Sequence, residues 1–119
     1  MAKTTKIDAV TFAGRSGKDY AFRVYVWDTK FKSLPGVYVV ASRSIEPGQS
    51  PRYEPVFVGA ASDLSKTFKS HPRSDCFQMY YANVVGVLLV TDADTREQIT
   101  RDLADGLSPP CNAADADLA

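Results

Sequence analysis

His71 is the sole histidine of the chain and closes the run VFVGAASDLSKTFKSH (56–71). Lys66 and Lys69 lie within that run, and Arg73 follows it. Three cations and an imidazole around one short helix could hold phosphate groups. The same charges also suit a solvated helix face, the ordinary fate of such a cluster. Metal chemistry has little to draw on, since one histidine, two cysteines and no CxxC spacing argue against a zinc site. Cys76 and Cys111 are too few for a disulfide framework and read as two small, half-buried thiols. Glu97 has Arg101 four residues on, which reads as an exposed helical pair.

Charge is balanced overall, with fourteen Lys and Arg against fourteen Asp and Glu, but it is unevenly spread. Residues 1–73 hold twelve basic against six acidic side chains, and residues 74–119 hold two against eight. The basic half could meet a phosphate backbone, or the two halves could pair on folding. A chain of 119 residues, 45% of them hydrophobic, suits one domain with a real core. It has neither an apolar run long enough for a membrane span nor the apolar stretch of a secretory signal at its start. A cytoplasmic protein with no membrane association is expected.

The elements that must position these groups follow from pattern. IDAVTFAG (7–14), the turn chemistry of 15–19 and YAFRVYVW (20–27) predict a hairpin, with Gly14 and Gly17 taking the awkward backbone angles. GVYVVASR (36–43) and PVFVG (55–59) read as strands around a Pro- and Gly-rich loop. Ser62 suits an N-cap for a helix with Leu64 and Phe68 on its apolar stripe, stopped by Pro72. Residues 74–83 suit a short helix, and VVGVLLVTD (84–92) a central strand. TREQITRDLADGL (95–107) is a helix burying Ile99, Leu103 and Leu107, with Gly106 near its end. The order is that of an α+β domain whose successive strands pair antiparallel.

The spacing of GVY (36–38), VFVG (56–59), SDLSKTFKSH (62–71), HPRSDCFQMYYAN (71–83) and TRDLADGLSPPCN (100–112) resembles the GIY-YIG nuclease superfamily, in particular a bacterial branch of it. The match covers 36–112, about two-thirds of the chain. It implies a single GIY-YIG-like domain over 1–112, with an extra N-terminal hairpin (7–27), a core (36–112) and a flexible acidic tail (113–119). The implied fold is a small, central, mostly antiparallel sheet flanked by helices.

The family cleaves phosphodiesters with two tyrosines, an arginine that stabilises charge on the phosphate, and a glutamate that holds one divalent metal. Tyr38 matches the first tyrosine, while Phe57 stands at the second. Thr67 falls where the arginine belongs and Thr100 where the glutamate belongs. His71 and Asn112 match family positions. A neutral hydroxyl replaces neither charge, and one lost transition-state contact alone costs roughly 100- to 1000-fold in rate. The resemblance therefore implies a domain that has lost cleavage, needs no cofactor, and binds nucleic acid or a protein partner, with Lys66, Lys69, His71 and Arg73 as candidate contacts. The alternative is an active endonuclease rebuilt from Tyr38, Lys66, His71 and Glu97, with Glu97 holding Mg or Mn. A third possibility is assembly through strand 20–27, should it lie at a sheet edge. The oligomeric state is left open.

Overall fold

The computed structural model describes residues 6–69 and 71–113. Five strands, β1 (Asp8–Ala13), β2 (Asp19–Val26), β3 (Gly36–Ser44), β4 (Arg52–Ala61) and β5 (Val84–Leu89), form one sheet in the order β1-β2-β5-β3-β4. Every pairing is antiparallel. The α+β class and the antiparallel sheet are those expected, and the N-terminal hairpin extends the sheet through β2. The apolar VVGVLL stretch of β5 pairs on both sides, with β2 and β3. That position explains its lack of polar alternation, because both faces are covered. Strand β2 is likewise interior, so the edges are β1 and β4. The aromatic-rich strand cannot supply the exposed edge that assembly by strand addition requires.

Four helices complete the order: α1 (Leu64–Thr67), α2 (Ser74–Met79), α3 (Ala93–Leu107) and α4 (Pro110–Ala113). Alternation along the strands sends Tyr38, Val40, Val85 and Val87 to one face, where Leu64 of α1, Phe77 of α2 and Cys111 of α4 join them. Val37, Val39, Val58, Phe12 and Phe22 line the other face and bury Leu103 of α3, with Ile99 and Leu107 packed alongside. The three apolar positions expected on that helix face the sheet, Leu103 buried and Ile99 and Leu107 half-buried.

Several boundaries differ from expectation for identifiable reasons. Asp63, not Ser62, caps α1, its carboxylate accepting from the Ser65 backbone N–H at 3.0 Å. Helix α1 then ends after one turn, because the Phe68 ring turns inward onto Trp27, Phe31 and Tyr38. Helix α2 stops at Met79, with Tyr81 at a positive φ of 59°. Helix α3 starts two residues early, capped by Asp92 accepting from the Thr95 N–H at 2.8 Å. Its C-cap is Ser108, in the left-handed conformation, and its N–H bonds to the Ala104 carbonyl. Gly106 is therefore not the terminator. A Cβ there would lie 2.5 Å from the Arg15 backbone nitrogen, so this glycine lets α3 press against the β1–β2 turn.

Asp102 locks that same contact. It accepts from the Ser16 N–H at 2.9 Å, the Ser16 hydroxyl at 2.6 Å and the Tyr20 hydroxyl at 2.8 Å. These bonds hold its carboxyl below the usual range. This acidic residue thus joins the C-terminal half to the N-terminal one. The Asp8–Arg43 ion pair lies within the basic half, and the Glu97–Arg101 pair within the acidic half.

The thiol reading is overturned. Cys76 and Cys111 form a disulfide between α2 and α4, with their Cα atoms 5.9 Å apart. Separation in sequence hid the pairing; the helices bring the two residues together in space. The acidic tail begins with Ala113, the last residue of α4, and its remainder (114–119) lies outside the described residues. Among the described residues, no helix is long and apolar enough to cross a membrane.

Candidate functional site

Tyr38 and His71 meet beneath the helices of the first face. The Tyr38 hydroxyl lies 2.7 Å from His71 Nε2. Both residues are buried, with relative exposures of 4% and 7%. The backbone N–H of Arg73 donates to His71 Nδ1 at 3.0 Å. An Nδ1 that accepts leaves the imidazole proton on Nε2, so His71 donates to the tyrosine oxygen. The imidazole then has no lone pair with which to take a proton from the phenol. Burial raises the Tyr38 phenol far above the tyrosine range. Burial, followed by the Arg73 charge, pushes the His71 pKa down. Both groups are thus held neutral.

Aromatic rings enclose the pair. Phe68 stands edge-on to Tyr38 at 5.0 Å, and Phe57 lies 6.0 Å from it. Phe57 and Phe77 lie 5.2 and 4.8 Å from the His71 ring. Opposite Tyr38 in the ladder is Gly59, where a Cβ would come within 2.5 Å of the Tyr38 oxygen. Only glycine leaves room for the phenol to reach His71. Phe57, where the resemblance implies a tyrosine, turns a ring edge toward His71 and helps close the site.

The other expected positions are dispersed. Thr67 bonds to the Asp63 carbonyl at 2.9 Å, within its own short helix. Thr100 does the same to the Arg96 carbonyl at 2.7 Å. It sits on α3, which packs on the face away from Tyr38, and lines a shallow cleft with Ala60, Ser62 and Glu97. Glu97 bonds to Arg101 at 2.8 Å, the exposed helical pair expected. Asn112 has a different task. Its carboxamide accepts from the Val58 N–H at 2.7 Å and donates to the Val58 carbonyl at 2.9 Å, covering part of the β4 edge. Lys66 and Lys69 are exposed, Arg73 is half-buried, and His71 faces inward. His71 therefore cannot share a phosphate with the three cations without the core opening. Among the described residues, no three His, Cys, Asp or Glu side chains converge as a metal-binding group.

A groove the sequence did not single out lies on the same sheet face, between β2, β5 and the 30–34 segment. It has a volume of about 530 Å³. Arg23, Lys30 and Lys32 line it with Tyr25 and Phe31, over a floor that includes Val87 and Leu89. None of the described residues lining it is acidic. The signal in sequence was faint, because Arg23 sits in a strand and Lys30 and Lys32 in a connector. Only chain folding places them around one opening.

Neither family models, curated proteins nor solved structures contain a match to this chain.

The buried histidine makes a pH prediction. A folded pKa held below the unfolded value of about 6.5 stabilises the fold fully above that value. The contribution is lost as pH falls from there through the folded pKa, because the unfolded chain takes up the proton first. Urea unfolding between pH 7.5 and 5, values that bracket the histidine pKa of about 6.5, should show declining stability in the native chain. The slope cannot exceed about 1.4 kcal/mol per pH unit for one proton. His71→Gln should be less stable at every pH but flat across this window. An equal slope in the variant would assign the decline to other groups. The carboxylates Asp8, Asp63, Asp92 and Asp102, all held below their ordinary pKa, act at lower pH.

Proposed function

We propose that this chain is a GIY-YIG-like module that binds nucleic acid without cutting it. The observation that carries the reading is the direction of the Tyr38–His71 hydrogen bond inside its aromatic enclosure. A tyrosine that is to help activate water needs access to water and a neighbour able to take its proton. Tyr38 has neither, since His71 Nε2 already carries a proton and Phe57, Phe68 and Phe77 surround the pair. The threonines at the arginine and glutamate positions bond back to their own helices and offer no charge. Nucleic acid is favoured over a protein partner by the clustering of Arg23, Lys30 and Lys32 beside two aromatic rings on one face. The rebuilt site is not favoured, because Glu97 projects from α3 on the side of the sheet opposite Tyr38 and His71.

The test combines cutting and binding. Purified protein with Mg or Mn should leave plasmid DNA and single-stranded RNA intact, while fluorescence anisotropy detects a complex that weakens steeply with salt. The paired change Thr67→Arg with Thr100→Glu restores the two family charges but leaves the phenol closed, so it too should be silent. Cutting by the native chain that disappears in Glu97→Gln would overturn the non-catalytic reading.

A further inference from the structure

We infer that the groove between β2, β5 and the 30–34 segment is a nucleotide-binding site, taking one aromatic base and its adjoining phosphate. The inference rests on the binding reading above and locates its ligand away from the Lys66–Arg73 cluster.

The groove has the dimensions and the chemistry for such a unit. Its volume of about 530 Å³ falls within the range of small-molecule sites. Apolar and aromatic side chains make up most of the wall, with Leu34, Leu64, Val87 and Leu89 beside Tyr25 and Phe31. Tyr25 and Phe31 meet edge to face at 5.3 Å and are half-buried, so their packing fixes the rings while leaving part of each open. A preordered ring loses little entropy when a base stacks on it. Phe31 is anchored from behind by Phe68 at 5.5 Å. Arg23 rises from the sheet, and Lys30 and Lys32 come from the facing segment. An anion between them would meet positive charge from both walls, with no carboxylate among the described lining residues to oppose it. A cation there would be repelled by the same charges.

Base plus phosphate occurs both as a free nucleotide and as one unit of a single strand. Two titrations separate these sources: AMP, and a fluorescein-labelled oligoadenylate of about ten nucleotides, within the usual single-strand site sizes. Each is followed by amide NMR shifts and, for the strand, anisotropy. Shifts at Phe31, Leu34 and Val87 with the strand alone would assign a strand site; the same shifts with AMP would assign a free-nucleotide site. Arg23→Glu and Lys32→Glu lie at exposed positions and should keep the native melting curve. Each should flatten the slope of log affinity against log salt by about 0.7 for the strand. Phe31→Leu should weaken binding roughly 5- to 100-fold, and Phe31→Tyr should restore it. If the strand binds but only Lys66→Ala and Lys69→Ala weaken it, the groove assignment is wrong and the binding reading stands. If neither probe binds, both fail, while the absence of cutting is judged separately.

Discussion

Replacing Cys76 and Cys111 together by alanine lowers the unfolding free energy by about 3–4 kcal/mol. The bond closes a loop of sequence separation 35. Cross-linking such a loop removes that much conformational entropy from the unfolded chain. Its structural leverage is larger than its length suggests, because it ties α4 to α2. Helix α4 is one turn long and is otherwise held by Asn112 on Val58. Guanidinium titrations with and without dithiothreitol check the value. The reductant should reproduce the double substitution in the native chain and do nothing to the variant. A native chain indifferent to dithiothreitol would show that the bond contributes no stability. Disulfides persist in oxidising surroundings and are rare in the cytosol. This bond therefore sits uneasily with the cytoplasmic location expected from sequence. Reduced protein, if it occurs in a cell, will carry a loosened α4.

Phe77→Ala costs about 3–5 kcal/mol, the range for emptying a buried phenylalanine site. Phe77 is 2% exposed and touches the rings of Trp27, Phe57 and His71 at 5.7, 5.5 and 4.8 Å. Loss of its ring does more than leave a cavity. It removes the apolar cover that pushes the His71 pKa down, so water should reach the imidazole. NMR titration of the ring protons should then place the His71 pKa nearer its ordinary value than in the native chain. Phe77→Leu keeps most of the cover and should move it less. A fall in stability with no change in the histidine titration would mean that other groups set that pKa.

Much of the fold was legible because its signals are local. Dense β-branched and aromatic runs marked β2, β3, β5 and the 55–59 part of β4, weak alternation marked β1, and the Ile99, Leu103, Leu107 stripe marked α3 with the face it turns to the sheet. Termini were less legible. Ser62 and Asp63 are both good caps, and the choice between them fell to where the chain leaves β4. One turn of helix at α1 was unreadable in a favourable ten-residue stretch, since the inward turn of Phe68 depends on Trp27 and Phe31 from the segment after β2 and on Tyr38 of β3.

The sequence by itself determined the α+β class, the antiparallel pairing of β1 with β2 and of β3 with β4, and the lack of charge at Thr67 and Thr100, but not the place of β5 between β2 and β3. Composition and period-two or period-3.6 patterning are sufficient for these, because they depend on neighbours along the chain. Tertiary structure decided the rest. It turned Cys76 and Cys111 from thiols into a bridge, made Asp102 a lock between α3 and the β1–β2 turn, and fixed the proton on His71 Nε2 through the Arg73 backbone. It also gathered Arg23, Lys30, Lys32, Tyr25 and Phe31 around one groove. The bridge and the lock depend on distances between residues far apart in sequence, the histidine on the hydrogen left to a ring nitrogen, and the groove on how the connector after β2 lies against β2 and β5. Local pattern holds no record of these, because burial, partner and proton position are set only when the sheet and its helices have packed.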